Sequence, residues 1–401
     1  MKLSVQMAEE ISIEDFVKTC YQCGMCSGVC PKAIVKPGFL PRKMVHEMIT
    51  GHVERGLESG DAWDCLTCGT CQDKCPMNVD FLDMVRESRR AGKGANCKVA
   101  HDNTLGMDFY NILKNENTKP RRKKFLAKDV KTDDDSDVLY FMGCVTYLDI
   151  IFKDDVGFEG MDIADNTIRL LNAVGITPAV LDGEKCCGHD QFWRGQNEFF
   201  EEFAKQNVEY LKKYKTIVTS CPECYRTLAV DYKERLGIEL NVKHISELLA
   251  EKVGEIEPNG SKKVTFHDSC RLGRHMNVYD QPRELLKTAG HEVLEMAKSR
   301  EESICCGVSA FVNCDDENKE IRRRKMRDAV ETGADVLVTP CPKCQIHLKC
   351  LQSDASEPDY DIKIVDLSTL LAENINGIRN EMQAKRASSE KTKKESDDDD
   401  N

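Results

Sequence analysis

The chain has 401 residues and a formal net charge of −12; it is long enough for two or three domains, and its charge argues against a nucleic-acid partner. Its 21 cysteines come without an apolar N-terminal signal segment, so we expect a cytoplasmic protein whose thiols bind metal rather than form disulfides. Since no apolar run reaches the roughly 18 residues that cross a bilayer, we expect any membrane attachment to depend on a partner.

Residues 1–115 carry two cysteine runs of the form C-x-x-C-x-x-C-x-x-x-C-P. This spacing is that of proteins with two cubane [4Fe–4S] clusters, in which the fourth cysteine of each run usually binds the cluster of the other run. The spacing predicts one cubane cluster on Cys20, Cys23, Cys26 and Cys75, and a second on Cys65, Cys68, Cys71 and Cys30. Helical patterns at 9–18, 43–49 and 82–85 predict an α-helical ferredoxin-type domain rather than the small βαβ ferredoxin.

After a charged linker, predicted at residues 116–136, one cysteine-rich unit occurs twice. We place the two units at residues 137–255 and 262–376, followed by a disordered charged tail at 377–401. Each unit contains a lone cysteine, a Cys-Cys-Gly motif and a Cys-Pro-x-Cys motif. These ligand candidates are Cys144, Cys186, Cys187, Cys221 and Cys224 in the first unit, and Cys270, Cys305, Cys306, Cys341 and Cys344 in the second.

Both repeats are predicted to be α/β domains with a parallel sheet. The predicted strands are 138–142, 216–219 and 237–244 in the first repeat, and 264–266, 336–339 and 360–367 in the second. Helical patterns at 199–214 and 318–332 lie between strands. Because ligands of such sheets gather at the carboxyl ends of the strands, we expect the five cysteines of each repeat to meet there.

Five thiolates in each repeat favour an unusual iron–sulfur cluster, because an ordinary cubane needs only four. The adjacent Cys186 and Cys187 also favour an unusual cluster, since neighbouring cysteines rarely both reach one ordinary cube. Zinc is the alternative, because a Cys-Pro-x-Cys pair can form half of a four-cysteine zinc site. Zinc, however, leaves the fifth thiol of each repeat unexplained.

The Cys-Cys-Gly and Cys-Pro-x-Cys pattern resembles the cysteine-rich (CCG) domain of heterodisulfide reductases. The first 115 residues, with the sequence CYQCGMCSGVCP, are similar to the small iron–sulfur subunit of the same enzymes. Their fusion in one chain is similar to the D subunits of methanogenic archaea, and the resemblance covers residues 15–375. One departure is that Cys144 and Cys186 lie further apart than usual, and we expect the extra residues to form an acidic loop at 149–162.

The resemblance implies a catalytic role for the ten cysteines of the repeats. Each set of five would hold a noncubane [4Fe–4S] cluster, and the two clusters would face each other across the mixed disulfide of coenzyme M and coenzyme B. Electrons would enter through the two cubane clusters, and reductive cleavage would give two thiols, with substrate sulfur held transiently on cluster iron. The implied partner is a membrane b-type cytochrome subunit or another electron-donating subunit, which would hold the protein at the cytoplasmic face in methanogenesis.

Two other functions fit the same motifs. The first is the iron–sulfur electron-transfer subunit of a flavin-linked glycolate or lactate oxidase, which would co-purify with a flavoprotein. The second is a redox sensor or scaffold with structural clusters, which would turn over no disulfide. The complete second set of five cysteines favours the reductase.

Several residues near the motifs have two interpretations. His189 and His267 are candidate proton donors to a leaving thiolate, or they only orient the loops that carry the cysteines. Arg271 and Arg274 are candidates for binding an anionic substrate, or they face solvent. The cysteines outside the motifs are expected to be small buried side chains, with Cys314 the first candidate for an exception: Cys97, Cys314 and Cys350.

Overall fold

The computed structural model of the chain describes residues 12–92, 121–252, 261–310 and 315–373. The tail predicted at 377–401 lies outside these ranges, as do Cys97 and Cys314. Nearly all of both predicted repeats falls inside them, so the arrangement of the motif cysteines can be read directly.

The first described segment contains helices and turns but no strand. After a 3₁₀ turn (Ile13–Phe16), helices α1 to α7 are Met25–Val29, Pro31–Val35, Pro41–Ile49, Val53–Glu58, Asp61–Asp64, Thr70–Asp73 and Phe81–Ala91. The helices predicted at 43–49 and 82–85 are confirmed. The helix predicted at 9–18 is wrong in its described part, because the backbone leaves helical geometry at Val17, whose side chain is buried in the core of this domain.

The first repeat begins after the short helix α8 (Arg122–Phe125). Its elements are β1 (Val138–Tyr140), α9 (Val145–Val156), α10 (Gly160–Ala173), α11 (His189–Trp193), α12 (Asn197–Leu211), β2 (Thr216–Thr219), α13 (Pro222–Arg226), a π-helical turn (Thr227–Asp231), α14 (Tyr232–Leu236), β3 (Val242–His244) and α15 (Ile245–Ala250). The three strands form a parallel sheet in the order β1-β2-β3.

The second repeat follows the same order of strands and helices. Its elements are β4 (Lys263–Phe266), α16 (Asp280–Thr288), β5 (Glu292–Val293), a 3₁₀ turn (Arg300–Glu302), α17 (Asp316–Val330), β6 (Val336–Thr339), α18 (Pro342–Gln352), β7 (Lys363–Asp366) and α19 (Leu367–Ala372). The parallel sheet has the order β5-β4-β6-β7. The short β5, absent from the prediction, has its counterpart in the first repeat as a single bridge between Leu139 and Ala179.

The predicted parallel α/β architecture of the repeats is therefore confirmed, although the strands predicted at 237–244 and 360–367 are shorter, at Val242–His244 and Lys363–Asp366. The expectation for the segment after Cys144 is wrong. Segment 149–162 is not an acidic loop but the end of α9 and the start of α10. Gly157 lies between the two helices with a φ of +65°, a left-handed conformation that glycine adopts without strain. The extra residues thus lengthen helices, and the backbone that follows Cys144 keeps a regular helical conformation.

The two repeats share one hydrophobic core. Helix α10 of the first repeat packs on α19 of the second, and α15 packs on α16, so each repeat contributes two helices to the contact. Residues of both sheets, such as Val218 and Val338, belong to the same buried cluster. Because protein cores are close-packed, this contact fixes the carboxyl ends of the two sheets relative to each other.

Candidate metal centres

The four cysteines predicted for the first cubane cluster line one cavity of about 380 Å³. They are Cys20, Cys23, Cys26 and Cys75, and they lie in the loop before α1, in α1 and after α6. Cys23 is exposed, and the neighbouring Tyr21 keeps 60% of its surface accessible. This cavity is therefore open to a partner molecule.

The four cysteines predicted for the second cubane cluster line a cavity of about 320 Å³. They are Cys30, Cys65, Cys68 and Cys71. Burial raises the pKa of Cys71, and the charges of Cys65 and Cys68 raise it further. Thiols that oppose each other's ionisation in this way fit a metal cluster, which would neutralise them as thiolates. The chain thus brings together the two predicted groups of four, while cluster binding stays a prediction.

Both cysteine runs use the same turn. The backbone N–H of Gln22 donates to the sulfur of Cys20 at 3.4 Å, and that of Thr67 donates to the sulfur of Cys65 at 3.3 Å. Gly69 follows with a φ of +79° and begins α6, which carries the next cysteine of the run. Hydrogen bonds of this kind favour the charged form of a thiol, as a cluster ligand requires.

The five cysteines of the first repeat converge beyond the carboxyl ends of β1 and β2. Hydrogen bonds with Cys186 and Cys224 lower the pKa of Cys187 and raise the pKa of both partners. Burial raises the pKa of Cys144, and the nearby charges of Cys221 and Cys187 add to the effect. Cys144 therefore belongs to this group, and the inserted helical residues do not remove it.

The five cysteines of the second repeat form an equivalent group. The thiol of Cys344 donates to the sulfur of Cys306 at 3.2 Å. Cys305 is hydrogen-bonded to Cys270 and Cys306, and Cys341 is hydrogen-bonded to Cys344. All except Cys270 are buried. We call the two groups the N-terminal set and the C-terminal set.

The second cubane cavity adjoins the C-terminal set. Cys68 shares a buried cluster with Cys305. Arg274 lies between the two sites. Burial lowers its pKa, but the charges of Cys68, Cys270 and Cys305 outweigh this effect, so the pKa is raised overall. The Nε of Arg274 also donates to the carbonyl oxygen of Cys68 at 2.8 Å. A cation thus stands between cysteines of the first domain and those of the second repeat.

The N-terminal and C-terminal sets adjoin each other as well. A hydrogen bond from Cys344 lowers the pKa of Cys341, but burial and the charges of Glu223 and Cys221 raise it overall. Glu223 and Cys221 belong to the first repeat, so its Cys-Pro-x-Cys motif lies beside that of the second. The second cubane cavity, the C-terminal set and the N-terminal set therefore follow one another in space.

A buried charged network fills the contact between the two sets. The ammonium of Lys343, whose side chain is 3% exposed, lies 2.6 Å from a carboxylate oxygen of Glu223 and contacts Asp190. His189 contacts the same two carboxylates through Nδ1, at 3.0 Å from Asp190 and 3.4 Å from Glu223. The charge of Lys343 also acts on Cys144 and lowers its pKa against the effect of burial.

Arg271 joins the three parts of the chain, so the expectation that it faces solvent is wrong. Its Nη2 donates to the hydroxyl of Thr67 at 2.8 Å, and its guanidinium stacks 4.3 Å from the ring centre of Trp193. Its Nε donates to Nε2 of His189 at 2.9 Å. Because Nε2 of His189 accepts this bond, its proton must lie on Nδ1, facing the carboxylates. This geometry favours the orienting interpretation of His189, which stays a prediction.

The remaining candidates have different surroundings. Arg274 donates to the backbone carbonyls of Cys68, Glu301 and Ser303, so it joins domains as Arg271 does. His267 is fully buried beside the C-terminal set. Cys350 is half-buried on α18 and belongs to neither set.

Sequence reasoning missed the charged network. Glu223 and Lys343 occupy the same variable position of the two Cys-Pro-x-Cys motifs, and their opposite charges were a visible signal of a contact. Arg89 was missed too: fully buried, it donates to the carbonyl oxygens of Ala62, Cys65 and Trp193 at 2.9, 2.6 and 2.7 Å. Nothing in the local sequence indicated this role, because its partners lie in other elements.

Comparison with known proteins agrees with these sites. Residues 138–229 and 264–349 each match the family described as "Cysteine-rich domain", and residues 19–80 match "4Fe-4S dicluster domain". The chain is 30% identical over 88% of its length to the D subunit of the dihydromethanophenazine:CoB–CoM heterodisulfide reductase of Methanosarcina mazei, and covers 93% of that protein. It is 29% identical to the corresponding protein from Methanosarcina barkeri, with the same coverage.

Two further similarities are more distant in function or sequence. The B subunit of the fumarate reductase (CoM/CoB) of Methanothermobacter marburgensis is 29% identical, over 90% of this chain and 74% of that protein. A hypothetical protein from Helicobacter pylori of known crystal structure has a TM-score of 0.54 at 8% identity, covering 90% of this chain and 71% of that one. The second likeness concerns the fold alone.

These findings define an iron–sulfur oxidoreductase with a dicluster domain and two cysteine-rich domains. The chain belongs to the family of heterodisulfide reductase D subunits. Its relatives are subunits of larger reductases, which suggests partner subunits for this chain as well. Among the described residues, no helix is both long and apolar enough to cross a membrane.

Proposed function

We propose that the chain is the catalytic iron–sulfur subunit that cleaves the mixed disulfide of coenzyme M and coenzyme B. The disulfide takes up two electrons and two protons, its S–S bond breaks, and two thiols leave. The eight cysteines of the first domain hold two cubane clusters, and the N-terminal and C-terminal sets each hold a noncubane [4Fe–4S] cluster. When bound, these clusters supply the one-electron transfers of the reaction.

The observation that carries this proposal is the contact between two complete sets of five cysteines. Cleavage of a disulfide creates two sulfur anions side by side, so the reaction needs two neighbouring sites that can each stabilise one. The Cys-Pro-x-Cys motifs of the two sets meet where the ammonium of Lys343 lies 2.6 Å from Glu223, which supports such a pair of sites. A plain electron carrier needs a row of clusters but no such pair.

The charged network supplies further stabilisation. Burial raises the pKa of Cys144 and the buried ammonium of Lys343 lowers it, although the charge of its partner Asp190 acts in the opposite direction. A fixed cation in such a place stabilises negative charge that develops on sulfur. Arg274 gives the C-terminal set a comparable cation beside Cys270. Each set therefore has at least one neighbouring positive charge.

The electron donor is a separate subunit, and a membrane b-type cytochrome or another electron-donating protein fills this role. The exposed Cys23 and Tyr21 make the first cubane cavity its docking point. The named relatives in Methanosarcina, at 29–30% identity over most of their length, support the substrate. The protein then works at the cytoplasmic face of the membrane, in methanogenesis.

The test is low-temperature EPR of anaerobically purified, oxidised protein with and without coenzyme M thiol, together with a disulfide cleavage assay driven by a reduced dye. A new paramagnetic signal that requires the thiol, and turnover of the mixed disulfide, are expected. The variant Cys341→Ser should lose both, and Cys350→Ser, outside the sets, should keep both. Ordinary cubane signals unchanged by thiol, without turnover, would favour an electron-transfer subunit of another oxidoreductase.

A further inference from the structure

The two repeats differ at the residue that follows their first strand. The N–H of Phe141 donates to the carbonyl of Val218 at 2.8 Å, and the N–H of His267 donates to that of Val338 at 2.8 Å. The two residues therefore occupy equivalent positions, each paired with the neighbouring strand. Both side chains are fully buried. An imidazole thus stands in the second repeat where the first has a phenyl ring.

The imidazole of His267 lies against the C-terminal set. One of its ring nitrogens is within 4.8 Å of the sulfur atoms of Cys306 and Cys344. Neither ring nitrogen has a hydrogen-bond partner among the described residues. Leaving a buried polar group unpaired is costly, so a partner is expected beside these sulfurs.

His267 can act as a hydrogen-bond donor at this place, because both the neutral and the charged imidazole carry at least one ring N–H. A neutral imidazole carries one N–H and one acceptor nitrogen. The cysteine sulfurs and the inorganic sulfur of a cluster are acceptors, so the N–H is the group that can be satisfied there.

We propose that the ring N–H of His267 donates a hydrogen bond to a sulfur of the cluster held by the C-terminal set. Phe141, at the equivalent position of the first repeat, gives the N-terminal set no such bond. The inference rests on the proposed function for the presence of that cluster. A hydrogen bond to sulfur stabilises the added negative charge of the reduced cluster and so raises its reduction potential. The C-terminal set, which adjoins the second cubane cavity at Cys68, becomes the better electron acceptor of the two.

The test is a redox titration, followed by EPR, of anaerobically purified holoprotein. His267→Phe copies the first repeat. It should lower the reduction potential of one repeat cluster by about 59 mV, which is a tenfold change in the ratio of oxidised to reduced cluster for one electron. His267→Gln keeps an N–H donor and should retain most of the wild-type potential. Superimposed titrations of wild type and His267→Phe, or a shift to higher potential, would overturn the proposal.

A measurement on the unmodified protein guards against a variant that fails to fold. Protein labelled with ¹⁵N-histidine should show a nitrogen hyperfine coupling to a repeat cluster in pulsed EPR, and its absence would contradict the hydrogen bond. Iron and sulfide content, measured first, separates the two proposals. Wild-type protein without repeat clusters would overturn the proposed function and this inference together, whereas loaded protein without the coupling or the shift would overturn the role of His267 alone.

Discussion

Replacing Lys343 by methionine should destabilise the protein by about 3–5 kcal/mol, the usual cost of removing one partner from a buried ion pair. The ammonium lies 2.6 Å from Glu223 and contacts Asp190, and the side chain is 3% exposed. Methionine preserves the length and most of the volume but leaves the buried Glu223 and the partly buried Asp190 without their cation. His189 cannot substitute for it, because its Nε2 already accepts a hydrogen bond from Arg271.

The pH dependence of this effect follows from Asp190. Burial alone would raise its pKa, but Lys343 and His189 hold it well below its ordinary value of 3.8. An acid whose pKa is depressed by folding stabilises the protein above its unfolded pKa and loses that contribution as the pH falls. The difference between wild type and Lys343→Met should therefore be complete at pH 7 and shrink below about pH 4.

Anaerobic urea unfolding followed by circular dichroism measures this difference. The matched control is Lys215→Met, which removes an ion pair with Asp137 in which the two side chains are 77% and 61% exposed. Exposed pairs contribute about 1 kcal/mol or less, so this variant should unfold nearly as wild type. Adding Glu223→Gln and Asp190→Asn to Lys343→Met should recover part of the loss. Equal stability losses in Lys343→Met and Lys215→Met would refute the reasoning.

Three further predictions concern other parts of the chain. Burial raises the pKa of Asp366 from 3.8 to about 7, so folding suppresses its ionisation. Asp366→Asn should stabilise the protein by on the order of 4 kcal/mol at pH 8 and have no effect near pH 3, as read from urea midpoints at both pH values. Gly195 has a φ of +69°, and a Cβ there would lie 2.5 Å from the backbone nitrogen of Arg90. Gly195→Ala should therefore lower the free energy of unfolding by at least about 1–2 kcal/mol. It should also make the junction of the first domain with the first repeat more sensitive to limited proteolysis. Cys75→Ser should remove one cubane cluster while the EPR signals of the repeats persist; loss of every signal would instead indicate that the first domain folds only with both clusters.

The sequence was a good guide where function depends on local spacing. Residues close together in the chain were enough to predict the cysteine runs, the strands before the motifs and the repeat itself. The assignment of Cys30 and Cys75 to the cluster of the opposite run follows from known cluster proteins. Most contacts between domains were out of reach, because spacing carries no information on them; the opposite charges of Glu223 and Lys343 were the exception. Arg271 was undecided for this reason: its partner Thr67 lies far away in the chain. Segment 149–162 was misjudged because charged residues were taken for a loop, although they cover the surface of α9 and α10.

The duplication leaves two sites with the same ligands but different surroundings. Equivalent positions hold Glu223 and Lys343 in the Cys-Pro-x-Cys motifs, and Phe141 and His267 after the first strands. A symmetric pair of sites would treat both halves of a disulfide alike. The proposed substrate has two different thiols, and under the proposed function electrons would arrive from one side only, where Cys68 meets the C-terminal set. Both conditions favour two sites with unequal reduction potentials. The positions at which the two repeats differ would then determine which site is reduced first.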